Sequence, residues 1–178
     1  MKNLIVFACK GNIHRSAVAE VCLRQEIEKK GLNDEFEVIS RGIQGTAGTK
    51  PTKHKNLMGY DPEWSLSGPI LKDLQVDISK HQSTPIDREI TERASLIFAM
   101  DQKVLIEASN SLVNQFPEHR NKMRLLSELE GKKEDIPDCD GSSDVELHRY
   151  VNSMIVRIIR EKADMIIASA RQLAQGVD

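Results

Sequence analysis

A short apolar run, a polar loop and a helical pattern follow one another without a gap near the N-terminus, and this succession constrains the fold more than any other feature. Leu4-Ile5-Val6-Phe7-Ala8 is unbroken and apolar, as suits a strand covered on both faces of a parallel sheet. From Ser16 onward the apolar positions are Val18, Val21, Cys22 and Ile27, and Gly31 stands where a helix would stop. Residues 36–40 read as a second strand, 95–100 as a third and 122–126 as a weak fourth. Helices are expected at 69–74, 85–94 and 104–113. From Asp144 a stripe of Val151, Ile155, Ile158, Ile159, Ile166 and Leu173 predicts a long terminal helix. Between the second strand and the first of these later helices, residues 41–67 carry Gly42, Gly45, Gly48, Pro51, Gly59 and Pro62 and read as one long loop.

Strands alternating with helices imply an α/β fold: a mainly parallel sheet of about four strands with helices on both faces. With 178 residues, 39% of them hydrophobic, one domain spanning 1–178 is expected. Only 4% are aromatic, which suits aliphatic strands better than an aromatic-rich sandwich or barrel. The 25 Lys and Arg are balanced by 27 Asp and Glu, so no positive excess is available for a nucleic acid. The odd set Cys9, Cys22 and Cys139 does not make a secreted disulfide framework. The first apolar run stops at Cys9-Lys10, short of a signal peptide, and no stretch approaches the roughly 18 apolar residues of a membrane span. A cytoplasmic location without membrane association is the expectation.

In such folds ligands bind beyond the carboxyl ends of the strands, which directs attention to Cys9-Lys10-Gly11-Asn12-Ile13-His14-Arg15-Ser16. Backbone N–H groups of a loop entering a helix, together with the positive end of the helix dipole, form an anion site. Gly11 and Asn12 tolerate the left-handed backbone that a tight cradle requires. A thiol at a helix N-terminus beside a guanidinium should lie well below the free value of about 8.5, and the planar fork of Arg15 matches two phosphate oxygens. Cys22, on the apolar stripe, reads as a small core residue.

Residues 9–16 resemble the phosphate-binding signature of the low-molecular-weight protein tyrosine phosphatases, usually Cys-x-Gly-Asn-x-Cys-Arg-Ser. The departure is His14, where that family commonly has a second cysteine. The resemblance extends through the strand ending at Ser40-Arg41-Gly42, the segment Val76-Asp77-Ile78-Ser79-Lys80-His81, the strand ending in Met100-Asp101, and the acidic stretch Glu134-Asp135-Ile136-Pro137-Asp138. It leaves residues 44–63 unaligned. By this resemblance Cys9 is the nucleophile, Arg15 stabilises the transferring group, and residues 10–16 bind phosphate or another oxyanion. Asn12, Ser16, Ser40 and His81 would form a structural network. Read alone, Ser16 is a helix N-cap, Ser40 a strand-end residue and His81 a surface histidine.

An aryl ester also needs a proton for its leaving oxygen. Residue chemistry leaves Glu134, Asp135, Asp138 and Asp140 open; the resemblance selects Asp138. Its followers are Cys139 and Asp140 rather than the family's proline and aromatic, which removes a rigid turn and a wall for a phosphotyrosine ring. Trp64, His54 and Tyr60 in the long loop are candidates for a replacement wall. The expected activity is hydrolysis of phosphotyrosine or other aryl phosphate monoesters, on a phosphoprotein or a small ester, through a cysteinyl phosphate, with no metal and no cofactor. The alternatives are an arsenate reductase-like enzyme, for which Cys139 would have to reach Cys9, and a catalytically weak phosphoprotein-binding module.

Overall fold

The computed structural model describes residues 2–176. Four parallel strands form one sheet in the order β2-β1-β3-β4: β1 (Asn3–Cys9), β2 (Phe36–Gly42), β3 (Ala94–Ala99) and β4 (Met123–Leu125). The first connection is α1 (Arg15–Lys29), after which the chain adds β2 on one side of β1 and β3 on the other. The strand order therefore reverses at β1, and the crevice beyond its carboxyl end is where such sheets bind ligands. This is the expected α/β architecture.

The unbroken apolar run is explained by burial on both sides. Ile5, Phe7 and Cys9 face a core shared with α1 and the terminal helix α5 (Val145–Ala174), and Phe7 stacks on Phe98 with ring centroids 5.8 Å apart. Leu4, Val6 and Ala8 face a second core closed by Ile86, Val104, Leu112 and Phe116. At roughly 25 cal/mol per Å² of apolar surface removed from water, these two layers dominate the stability of the sheet.

Several expected boundaries are corrected. The helix expected at 69–74 is α2 (Glu63–Asp73), which begins inside the expected long loop and passes through Pro69. Its buried positions are Glu63, Ser67, Ile70 and Leu71; this is helical spacing, hidden in the sequence because half of them are polar. The remaining loop is also not wholly irregular: Leu57–Gly59 forms a short 3-10 turn, and the Asn56 side chain pins it by donating to the carbonyls of Ile78 (2.9 Å), Ser79 (3.1 Å) and His81 (2.8 Å). The helix expected at 85–94 is α3 (Arg88–Arg93), capped by Asp87. The single helix expected at 104–113 is two pieces: a π-type turn at Lys103–Glu107, then α4 (Leu112–Gln115). The break falls at residues 108–111, where Asn110 turns inward and donates to the Ile43 carbonyl at 2.6 Å.

Gly42, paired with Cys9 at the sheet edge of the loop, is a close-approach glycine. A methyl group there would stand 3.0 Å from both Gly11 C and Lys10 O and 3.1 Å from Asn12 Cβ. Gly42→Ala is expected to destabilise the protein by about 1–3 kcal/mol and to weaken oxyanion binding, readable as a lowered Tm and a smaller phosphate-induced rise in Tm.

Candidate active site

The segment between β1 and α1 is held in shape from several directions. Asn12 has φ +54°, a left-handed conformation that a non-glycine residue keeps only when its surroundings enforce it. Its carbonyl accepts from His81 Nε2 at 2.7 Å, its Oδ1 accepts from Thr84 N at 2.9 Å, and its amide donates to Ser16 Oγ (3.0 Å) and Ser40 Oγ (2.8 Å). Ser40 in turn donates to Glu20 Oε2 at 2.6 Å, and Ser83 Oγ donates to the Gly11 carbonyl at 2.8 Å. The structure thus brings together Asn12, Ser16, Ser40 and His81, and adds Glu20, Ser83 and Thr84. Ser16 is not the helix N-cap: it lies inside α1 with its hydroxyl 3.1 Å from Cys9 Sγ. Ser16 Oγ accepts from Asn12 and shares a hydrogen bond with the sulfur. The Asn12 N–H reaches the same sulfur at 3.2 Å.

Arg15 is buried and held by three hydrogen bonds. Nη1 donates to Asp101 Oδ2 and to the Ile136 carbonyl, each at 2.7 Å, and Nη2 donates to Asp138 Oδ2 at 2.7 Å. Burial opposes its charge, but Cys9, Asp138 and Asp101 outweigh burial and raise its pKa above the ordinary value. The guanidinium fork expected to meet phosphate oxygens therefore faces two carboxylates here. Asp101 was part of a recognised strand end without an assigned role; its other oxygen caps the turn after β3 by accepting from Val104 N at 2.8 Å.

Of the four acidic residues left open by chemistry alone, Asp138 is the one bonded to Arg15. Asp135 Oδ1 accepts from Gln102 N at 2.8 Å, the Glu134 side chain is exposed, and Asp140 is exposed 3.9 Å from Lys10 Nζ. A cavity of about 250 Å³ opens over the loop, lined among others by Cys9, Ile13, Arg15, Tyr60, Glu63 and Asp138. Of the three candidate wall residues, Tyr60 lines this cavity. His54 stands edge-on behind it at 5.2 Å, and the Tyr60 hydroxyl accepts from His54 N (3.0 Å) and donates to His54 O (3.2 Å). Trp64 packs against the main core instead. Cys139, fully buried, lines the same cavity, and burial pushes its thiol up to about 11. Cys22 is a core residue as expected, also at about 11 through burial.

His14 lines the cavity and reaches into the interior through its ring. Its Nε2 donates to Asn152 Oδ1 at 2.8 Å, Asn152 Nδ2 donates to Ser67 Oγ at 3.1 Å, and Ser67 Oγ lies 2.7 Å from His148 Nδ1. Burial, foremost, holds the His14 pKa down at about 4, with His148 and Arg15 acting in the same direction against the raising effects of Asn152 and Asp138. Ser67, His148 and Asn152 were missed in the sequence. Helical spacing links His148 to Asn152, one turn apart, but nothing local joins them to His14.

The fold and this loop define an α/β protein with an oxyanion-type cradle between its first strand and first helix. The family model for low molecular weight phosphotyrosine protein phosphatase matches residues 4–177. The chain belongs to that family, a group of metal-independent phosphatases. It is 26% identical to a protein-arginine-phosphatase of Bacillus subtilis over 91% of this chain and 95% of that one. It is 32% identical to an arsenate reductase of Halalkalibacterium halodurans, over 56% of this chain and 57% of the reductase. Among solved structures, a mutant of YwlE from Bacillus subtilis superposes with a TM-score of 0.70 at 25% identity, covering 93% of this chain and 99% of that one. Among the described residues no helix is long and apolar enough to cross a membrane.

The buried His14 carries a pH consequence. Its folded pKa of about 4 lies below the ordinary 6.5, so between those values the unfolded chain binds more protons and stability rises with pH. The wild-type protein is expected to lose on the order of 3 kcal/mol from this group as pH falls through that window. His14→Gln, which keeps a donor for Asn152 but cannot titrate, is expected to flatten the slope. Urea unfolding at pH 7 and pH 4.5 measures it.

Proposed function

We propose that this phosphatase hydrolyses phosphotyrosine and related aryl phosphate monoesters through a cysteinyl phosphate, with Cys9 as nucleophile, Arg15 as electrostatic stabiliser and Asp138 as general acid and base. The observation that carries the reading is the convergence of a thiol, a guanidinium and a carboxylate on one cavity, with Arg15 Nη2 bonded to Asp138 Oδ2 at 2.7 Å.

Cys9 Sγ attacks phosphorus, forming the S–P bond as the P–O bond to the leaving group breaks. Arg15 and the N–H groups of residues 10–16 take the equatorial oxygens, and the shift of Nη2 onto phosphate frees Asp138 to deliver its proton to the departing phenolate. Water then attacks phosphorus, Asp138 takes its proton, and the S–P bond breaks to return the thiolate and inorganic phosphate. The side chains of Asn12, Ser16, Ser40 and His81 serve this chemistry by fixing the cradle whose backbone N–H groups meet the phosphate. Tyr60 supplies an aromatic surface that the acid loop lacks.

A second substrate reading has its own observation. Asp138, Glu63 and Asp140 line the cavity beside Lys10, Lys53, Arg15 and the aromatic Tyr60; the three carboxyl groups suit a leaving group rich in N–H donors such as the guanidinium of phosphoarginine, and the Bacillus subtilis relative is a protein-arginine-phosphatase. Arsenate reduction is less well supported: burial keeps Cys139 protonated at neutral pH, and a protonated thiol is a poor attacker on a Cys9 adduct.

Cys9→Ser is expected to abolish turnover of an aryl phosphate in a chelator-containing buffer while retaining oxyanion binding. Asp138→Asn is expected to lose about 10²- to 10⁴-fold in kcat on phenyl phosphate and far less on p-nitrophenyl phosphate, whose phenolate departs unprotonated. Turnover retained in Cys9→Ser, or a loss at Asp138 that ignores the leaving group, contradicts the assignment. Comparing kcat/KM on matched phosphotyrosine and phosphoarginine peptides decides between the two substrate readings.

A further inference from the structure

The general acid sits on a segment that has neither proline nor aromatic residue after Asp138, so its position must be fixed by something else. Residues 138–142 form a tight turn: Ser142 N donates to the Cys139 carbonyl at 3.0 Å, Gly141 is left-handed at φ +72°, and the Cys139 side chain is buried beneath it. Two side chains from different helices grip the backbone of this turn. Glu63, in the first turn of α2, accepts from Gly141 N through Oε1 at 2.7 Å. His148, in α5, lies with Nε2 3.0 Å from the Ser142 carbonyl and must donate there, since a carbonyl can only accept.

Both grips are made by groups whose burial is costly. Glu63 is 6% exposed and its Oε2 has no hydrogen-bond partner among the described residues; His148 is 0% exposed. Buried ionisable groups of this kind destabilise unless they are satisfied, so their presence at the two contacts to one turn calls for a role. Ser67 Oγ lies 2.7 Å from the other ring nitrogen, Nδ1; Asn152 Nδ2 donates to Ser67 Oγ at 3.1 Å, and Asn152 Oδ1 accepts from His14 Nε2 at 2.8 Å. The hydrogen bonds run without a break from Ser142 to His14, the residue beside Arg15. Acid turn and phosphate loop are thus suspended from one chain of buried polar groups that crosses α2 and α5.

We propose that Glu63 and His148 are positioning residues for the general acid: by gripping Gly141 N and the Ser142 carbonyl they hold Asp138 in register with the phosphate loop. This rests on Asp138 being the acid. Neither residue touches the phosphoryl group in this assignment; each acts through the turn. A displacement of the acid by about 1 Å is enough to cost on the order of 10²-fold in rate.

The test uses Glu63→Ala and Glu63→Gln in the full chain, each with intact Asp138 and with Asp138→Asn, on phenyl and p-nitrophenyl phosphate. Glu63→Ala is expected to lower kcat on phenyl phosphate by about 10- to 100-fold, with a much smaller loss on p-nitrophenyl phosphate and little change in KM. Glu63→Gln, whose amide oxygen still accepts from Gly141 N, should restore most of the loss. In the Asp138→Asn background Glu63→Ala should add nothing. Ser67→Ala, which cuts the chain behind His148 without emptying the core, should repeat the pattern more weakly. A loss equal on both substrates, or one that adds in full to Asp138→Asn, overturns the proposal while leaving the acid assignment intact. An Asp138→Asn enzyme without leaving-group dependence removes the acid assignment and the proposal with it.

Discussion

The buried guanidinium of Arg15 is the interaction on which the rest of the site depends. It draws together the first turn of α1, Asp101 after β3, the Ile136 carbonyl and Asp138, three segments far apart in sequence. A charge removed from water is tolerated only when its partners are well placed. Here they are placed by the sheet: Met100 N donates to the Ala8 carbonyl and Ile136 N to the Met100 carbonyl, each within 2.9 Å. The two carboxylates and the carbonyl together satisfy the buried guanidinium, so the convergence of thiol, cation and carboxylate also ties these segments together.

Around that cation the loop is braced on two sides by different chemistry. On one side Asn12 is held in a left-handed conformation by Ser40, Thr84 and His81, with Glu20 behind them. On the other, His14 leads through Asn152 and Ser67 to His148 and the turn at residues 138–142. The first bracing fixes the cradle, and the second couples it to α2 and α5. Adjacent residues of the loop thus serve separate ends: Asn12 its shape, His14 its attachment, Arg15 its charge.

What could be read from the sequence was what is locally encoded. The doubly buried β1 is a continuous apolar run, and the loop after it concentrates its chemistry in consecutive residues, so both were visible. The start of α2 was not, because Glu63 and Ser67 occupy its inward face and make that face look like loop. Those same two residues reach the turn at residues 138–142 and the histidine network, so one polar face concealed both the helix and its contacts. Ser16 looked like a helix cap because a serine at a helix start usually is one; only the approach of Asn12 and Cys9 reveals otherwise. Asp101 and Glu20 gain meaning solely from partners 86 and 20 residues away, distances over which no periodicity carries information. Asp138 was separated from its acidic neighbours by resemblance, and the structure adds its bond to Arg15.

The central claim is that phosphate passes through a covalent bond to Cys9. The most direct measurement is a rapid acid quench of the enzyme during turnover of an aryl phosphate, followed by mass analysis of the whole chain and its peptides. The account requires a phosphoryl group on the peptide containing Cys9, accumulating further in a variant slowed at the second step. A burst of phenol release without any phosphoryl adduct at Cys9, or an adduct on another residue, would contradict it.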